Sequence, residues 1–182
     1  EKFQTFVTVE DKTNYLCGTS RSGFFRGVTT IVLKLFNIAN PNIAYFGEKD
    51  WQQLEVVRTM VRDLNMDISI VGKPIVRDGD GLAMSSRNGY LSEEDRSSAC
   101  SLSQALESAQ ALVIQGECSA KNIRTEIRKI IEQKQGTEVD YISVCDPESF
   151  AEQTEIHSKV LVALAVRVGN TRLIDNRIIG KA

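Results

Sequence analysis

Ile43-Ala-Tyr-Phe-Gly47-Glu-Lys-Asp50-Trp-Gln-Gln53-Leu54 is the stretch whose reading decides the fold class. A short apolar, β-favouring run ends in glycine, and the apolar period then changes. Trp51, Leu54, Val57, Val61 and Leu64 recur at the three- and four-residue spacing of one helix face. A strand that turns through glycine into an amphipathic helix is half of a βαβ crossover, and Ile68-Ser-Ile-Val71 supplies the next strand. Upstream, Phe25, Val28, Ile31, Val32, Leu35 and Phe36 mark the inward face of another helix, which residues 37–41 end. Residues 5–10, with Phe6, Val7 and Val9, read as a further strand. Two βαβ passages before residue 77 predict half of a doubly wound parallel sheet.

The turn-rich Arg77-Asp-Gly-Asp-Gly81 marks a change of architecture. Ser92 followed by Glu93, Glu94 and Asp95 is a helix start, a capping hydroxyl ahead of carboxylates in the first turn. Helical patterns fill residues 93–115 and 119–134. Residues 139–144, 159–168 and 171–178 read as strands, the last two joined through Gly169-Asn170. The expected division is an α/β unit over residues 1–76 and a small α+β unit with an antiparallel sheet over 77–182.

Composition narrows the function classes. Of 182 residues 42% are hydrophobic and 25% charged, as in ordinary globular proteins. With 22 basic against 24 acidic residues there is no cationic excess for nucleic acid or an anionic membrane surface. The charged opening Glu1-Lys2 is no signal peptide, and no apolar run reaches the ~20 residues of a membrane span. A cytoplasmic location is expected. Cys17, Cys100, Cys118 and Cys145 lack metal-ligand spacing and read as small buried hydrophobes in a reducing compartment; no metal ligands are assigned. The only histidine, His157, lies in a polar stretch and reads as a surface residue.

Two stretches carry candidate chemistry. At Gly47-Glu-Lys49-Asp50, backbone N–H groups and a helix start meet at the carboxyl edge of a sheet, where open α/β sheets bind ligands. Lys49 is then a point charge for phosphate; the plainer reading is a turn with solvated charges and Asp50 as N-cap. Gln53 stands at capping-box spacing from Asp50, or else holds a substrate hydroxyl or carboxylate. At Met84-Ser85-Ser86-Arg87-Asn88, two hydroxyls and a guanidinium suit a polyphosphate, and Gly79 and Gly81 permit the loop to swing over a ligand. The plainer reading there is a polar surface loop. Asp78-x-Asp80 starts like a calcium loop, but Gly89 stands where the bidentate glutamate belongs.

Longer strings go further. Residues 47–53, 80–88 and 171–176, together with Ser20-Arg21, Phe25-Arg-Gly-Val28 and Lys34-Leu-Phe-Asn37, resemble the pantoate–β-alanine ligase (pantothenate synthetase) family. They do so in the family's order, from about residue 5 onward. The resemblance implies a Rossmann-like nucleotidyltransferase fold, with residues 1–76 the second half of the nucleotide-binding domain and 77–182 a lid domain. It implies ligation of pantoate to β-alanine with ATP and Mg²⁺ through pantoyl adenylate, and a homodimer when full length. By position, Gly47, Lys49 and Asp50 match the ATP-contacting loop, Gln53 the pantoate-holding glutamine, and Val76 the adenine pocket near the hinge. Met84, Ser85, Ser86 and Arg87 match the phosphate-gripping loop; Lys49, Ser85, Ser86 and Arg87 are the catalytic candidates. The chain departs from the family in lacking its His-x-Gly-His motif, and it has Ser22-Gly-Phe24 where relatives show Pro-Gly-His. The expectation is therefore a C-terminal portion that is inactive alone. The rival expectations are a nucleotidyltransferase with another acceptor and a non-catalytic nucleotide-binding remnant.

Overall fold

The structure, a computed structural model, describes residues 2–180. Glu1 of the charged opening lies outside the described residues. The chain divides into two compact units, one up to Pro74 and one from Ile75 onward, so that Val76 belongs to the second.

In the first unit a short helix, α1 (Cys17–Ser20), precedes α2 (Phe24–Ala39). Then β1 (Ile43–Gly47), α3 (Trp51–Asp63) and β2 (Ser69–Lys73) form a βαβ crossover. The strands pair in parallel, from Ile43 opposite Ser69 to Gly47 opposite Lys73. α3 is buried on nearly its whole circumference: Leu54, Val56, Val57, Met60 and Val61 are all core residues, and Gln52, Glu55 and Thr59 are buried with them. A helix enclosed in this way sits inside a layered fold.

Four expectations for this unit are corrected. No strand forms over residues 5–10, so there is one βαβ passage and not two. A strand needs a ladder, and this backbone bonds instead to threonines of α2: Val7 N–H donates to Thr30 Oγ1 (3.0 Å) and Thr29 Oγ1 donates to Val7 O (2.7 Å). On α2, Phe25, Thr29, Thr30 and Phe36 turn inward while Ile31 and Leu35 are exposed. The buried stripe thus follows the threonines that hold residue 7. Leu64, expected inward, is exposed where α3 ends.

In the second unit α4 (Glu93–Ala99), α5 (Ser101–Ile114) and α6 (Ala120–Glu132) precede the strands β3 (Thr137–Cys145), β4 (Val160–Val168) and β5 (Thr171–Ile179). The strands form an antiparallel meander in the order β3-β4-β5. The helical pattern over 93–115 folds as two helices that meet at Cys100. Ser92 caps α4 as read, its Oγ accepting from Asp95 N–H at 3.1 Å. α5 and α6 lie on the sheet, and Leu102, Leu106, Ile123, Ile127, Val162 and Leu164 are at the centre of the core between them. A bulge between Val139 and Tyr141 leaves Asp140 to meet Arg172 of β5, whose Nε and Nη2 donate to it at 2.9 and 2.7 Å. Among the described residues no helix is long and apolar enough to cross a membrane.

Candidate functional site

The sequence-predicted residues fall into two sets, one in each unit. In the first, β1 ends at Gly47, a 3₁₀ turn spans Glu48–Asp50, and α3 begins at Trp51. Gly47, Lys49, Asp50 and Gln53 come together on this turn and the first turn of α3, with Gly47 and Asp50 exposed and Lys49 and Gln53 half-buried. The capping box does not form. Asp50 is the N-cap residue but makes no side-chain cap bond, and Gln53 has no hydrogen-bond partner among the described residues. The turn sits tightly against β2: a Cβ on Gly72 would lie 2.9 Å from Glu48 Oε1 and 3.1 Å from Leu54 Cδ2, so only glycine leaves Glu48 its place.

Gln52, one position from Gln53, does different work. It is buried, accepts from Cys17 N–H at 3.0 Å and donates to the carbonyls of Lys12 (2.9 Å) and Tyr15 (2.7 Å). This ties residues 12–17 to α3 with three bonds. Sequence reasoning did not single it out. The one available signal was position: Gln52 lies two residues before Leu54, inside the segment that α3 buries all round.

In the second set the chain folds back on itself between residues 76 and 84. Met84 N–H donates to Val76 O, Asp78 N–H to Leu82 O and Gly81 N–H to Asp78 O, each at 2.9 Å. Arg77 and Ala83 form an antiparallel bridge, and Leu82 and Ala83 are buried. Gly81 takes φ 87°, a left-handed conformation in which its Cβ would also meet Ser103 Oγ at 3.1 Å. Beyond this hairpin Val76 and Met84 are exposed neighbours, and Ser85 caps a 3₁₀ helix, Ser86–Tyr90. Ser85 Oγ accepts from Arg87 N–H at 3.2 Å, which leaves its own O–H to donate. Ser86 and Arg87 are exposed, and Arg87 Nη1 donates to Arg172 O at 3.3 Å. Asn88 Nδ2 holds Ala83 O at 3.1 Å.

Two ion-pair groups secure the root of this loop. Arg77 meets Asp175 of β5 through two parallel bonds, 2.7 and 2.9 Å, and also donates to Gly81 O at 3.1 Å. Asp175 is only 2% exposed. Its hydrogen bond raises the Arg77 pKa above the ordinary guanidinium value, outweighing burial, so the guanidinium stays charged. Arg96 of α4 spans both turn carboxylates, Nε to Asp80 and Nη2 to Asp78, each at 2.8 Å. Burial pushes the Asp80 pKa up, but the bonds from Arg96 and the Leu82 N–H outweigh it and leave the carboxyl below its ordinary value.

Both sets lie within a match to known proteins. The pattern of the pantoate-beta-alanine ligase family matches residues 1–178. This chain belongs to that family. The pantothenate synthetase of Geobacter sulfurreducens is 51% identical over 179 residues, covering 98% of this chain, and that of Acetivibrio thermocellus is 53% identical over 177 residues, covering 97%. The chain spans about 63% of the length of each. Among solved structures, pantothenate synthetase from Thermus thermophilus superposes with TM-score 0.95 at 40% identity, over all of this chain and 66% of its own. A pantoate-beta-alanine ligase from Francisella tularensis, described as complexed with beta-gamma ATP and beta-alanine, gives 0.72 at 29% identity, over 96% of this chain and 58% of its own. The α/β class of this member of the ligase family, with its nucleotidyltransferase-type fold, follows from these likenesses.

Proposed function

We propose that the protein joins pantoate to β-alanine with cleavage of ATP to AMP and pyrophosphate. The observation that supports this most is the pair of polar sets the fold builds within the region matching the ligase family. One is a strand–glycine–helix turn carrying Lys49, Asp50 and Gln53. The other is a secured hairpin carrying 84–87.

In the first step a pantoate carboxylate oxygen bonds to the α-phosphorus and pyrophosphate leaves. In the second, the β-alanine amine bonds to the acyl carbon, gives up a proton, and AMP leaves. Positioning and charge stabilisation carry both steps. Gly47, Lys49 and Asp50 contact ATP, with Lys49 on the phosphates and Asp50 near the ribose. Gln53, its amide unengaged, holds pantoate by two hydrogen bonds. Val76 borders the adenine, and Met84, Ser85, Ser86 and Arg87 grip the phosphates. In this reading residues 1–76 are nucleotide-binding and 77–182 a lid, the enzyme is a cytoplasmic homodimer, and Mg²⁺ arrives as part of Mg-ATP.

The test is pantoate-dependent ATP–pyrophosphate exchange. It is run on the 182-residue chain alone and on the chain supplied with the part of the Thermus thermophilus enzyme outside the matched region. Exchange is expected in the supplemented sample, falling about 10²-fold or more with Lys49→Ala or Arg87→Ala. No pantoate-dependent exchange in either sample overturns the reading, and exchange driven equally by other hydroxy acids favours a different acceptor.

A further inference from the structure

We propose that Arg77, Asp175 and Arg96 are positioning residues for ATP: they touch no substrate, but they fix the hairpin from which Met84, Ser85, Ser86 and Arg87 reach the phosphates. This rests on the ATP-binding reading above and goes beyond it by naming what sets the geometry of the grip.

Ser86 and Arg87 are exposed and Ser85 is half-buried, and a side chain in water gains nothing from preorganisation unless its backbone is held. The backbone on the N-terminal side of this stretch is held from two sides. Asp175 grips Arg77 from the β5 side with two bonds, Arg77 passes the hold to Gly81 O, and Arg96 grips Asp78 and Asp80 from the α4 side. Met84 N–H then closes the hairpin onto Val76 O. β5 and α4 both belong to the packed unit, since Leu173 and Ala99 are in its core. The guanidinium forks thus transmit core rigidity to a solvent-facing phosphate grip. Charge chemistry fits the same purpose. Arg77 pairs with Asp175, and Arg96 with Asp78 and Asp80, whereas Arg87 is exposed and donates to a neutral carbonyl, Arg172 O. An unpaired Asp78 or Asp80 would repel a polyphosphate.

The experiment uses the 182-residue chain and the variants Arg96→Lys, Arg96→Ala and Asp175→Asn. Each is checked for fold by circular dichroism. Two readouts are taken: calorimetric affinity for Mg-ATP and for AMP, and the rate of tryptic cleavage after Arg87. Loss of the hold is expected to lower ATP affinity about tenfold while AMP affinity stays within about twofold, because AMP lacks the β- and γ-phosphates the loop grips. Cleavage after Arg87 is expected to quicken in step, with Arg96→Lys intermediate because one amine cannot span two carboxylates. Folded variants with unchanged ATP-over-AMP preference overturn the inference, and if Asp175→Asn fails to fold, the Arg96 pair decides it. A wild-type chain that binds no ATP overturns this inference and the ATP reading of the loop together. Wild-type ATP binding with unresponsive variants overturns the inference alone.

Discussion

The two units bury their apolar residues very differently. In the second, α5 and α6 close over one face of a three-stranded sheet, and one continuous core runs from Leu82 to Ile179. In the first, α3 is enclosed, yet the elements around it keep apolar side chains in water: Ile31, Leu35 and Ile38 on α2, Ile43 and Tyr45 on β1. Ile38 is 80% exposed. A two-stranded sheet is marginal without further strands or cover, and contiguous exposed apolar patches mark surfaces that associate. Similar apolar content therefore yields a self-sufficient unit only when the elements present can cover one another. The same difference explains why the hairpin of residues 76–84 is rooted in the second unit, whose core can hold a loop still.

Truncating one leucine in each unit should give the largest effect. Leu164 on β4 is fully buried, and Leu164→Ala should cost about 2–5 kcal/mol through lost burial and a residual cavity. Leu35 is 57% exposed, and Leu35→Ala should change stability by no more than about 0.5 kcal/mol. Urea unfolding followed by circular dichroism measures both. A large loss at Leu35 would break the contrast by showing that α2's outer face is covered in solution.

The cysteines offer a second measurement. Cys17 of the first unit and Cys145 of the second are both buried thiols, and burial pushes the Cys145 pKa up to about 11. Alkylation of either needs a local opening and a thiolate. In single-cysteine variants at neutral pH, Cys17 should label about tenfold or more faster than Cys145, because its unit opens at lower cost. Cys118, partly exposed, should label first of all. Equal rates at Cys17 and Cys145 would mean that the units open together.

Much of this was legible in the sequence. Strong periodicity located α3, α6 and the three antiparallel strands, because there the pattern that makes the element is also the pattern that is buried. The motif residues 47–53 and 84–87 were legible as strings. What escaped was decided by tertiary partners. Residues 5–10 have strand composition, but two threonines of α2 take up the Val7 backbone groups, and no local pattern announces that. The apolar stripe on α2 was misassigned for the same reason: Thr29 and Thr30 outrank Ile31 and Leu35 for the interior because they carry those bonds. Arg77–Asp175 joins residues 98 apart, and Gln52 reaches back 35 to 40 residues. Pairings at such separation have no signature in a single chain. The break at Cys100 was equally hidden, since residues on both sides of it favour helix.

The smallest expected effect lies in acid, at the turn that roots the hairpin. Asp80 has its pKa held below the ordinary carboxylate value by Arg96 and the Leu82 N–H, against the upward push of burial. A group whose folded pKa is depressed stabilises the fold above its unfolded pKa, about 3.9 for aspartate. That contribution is lost as pH falls through the lower folded value, when protonation removes the acceptor for Arg96. Asp80→Asn should therefore leave the second unit slightly less stable at neutral pH and make its stability less sensitive to pH below about 4. Thermal unfolding across that range, compared with wild type, is the check. A variant whose acid profile matches wild type would place the second unit's acid sensitivity elsewhere, and Asp175, buried against Arg77, would be the next carboxylate to replace.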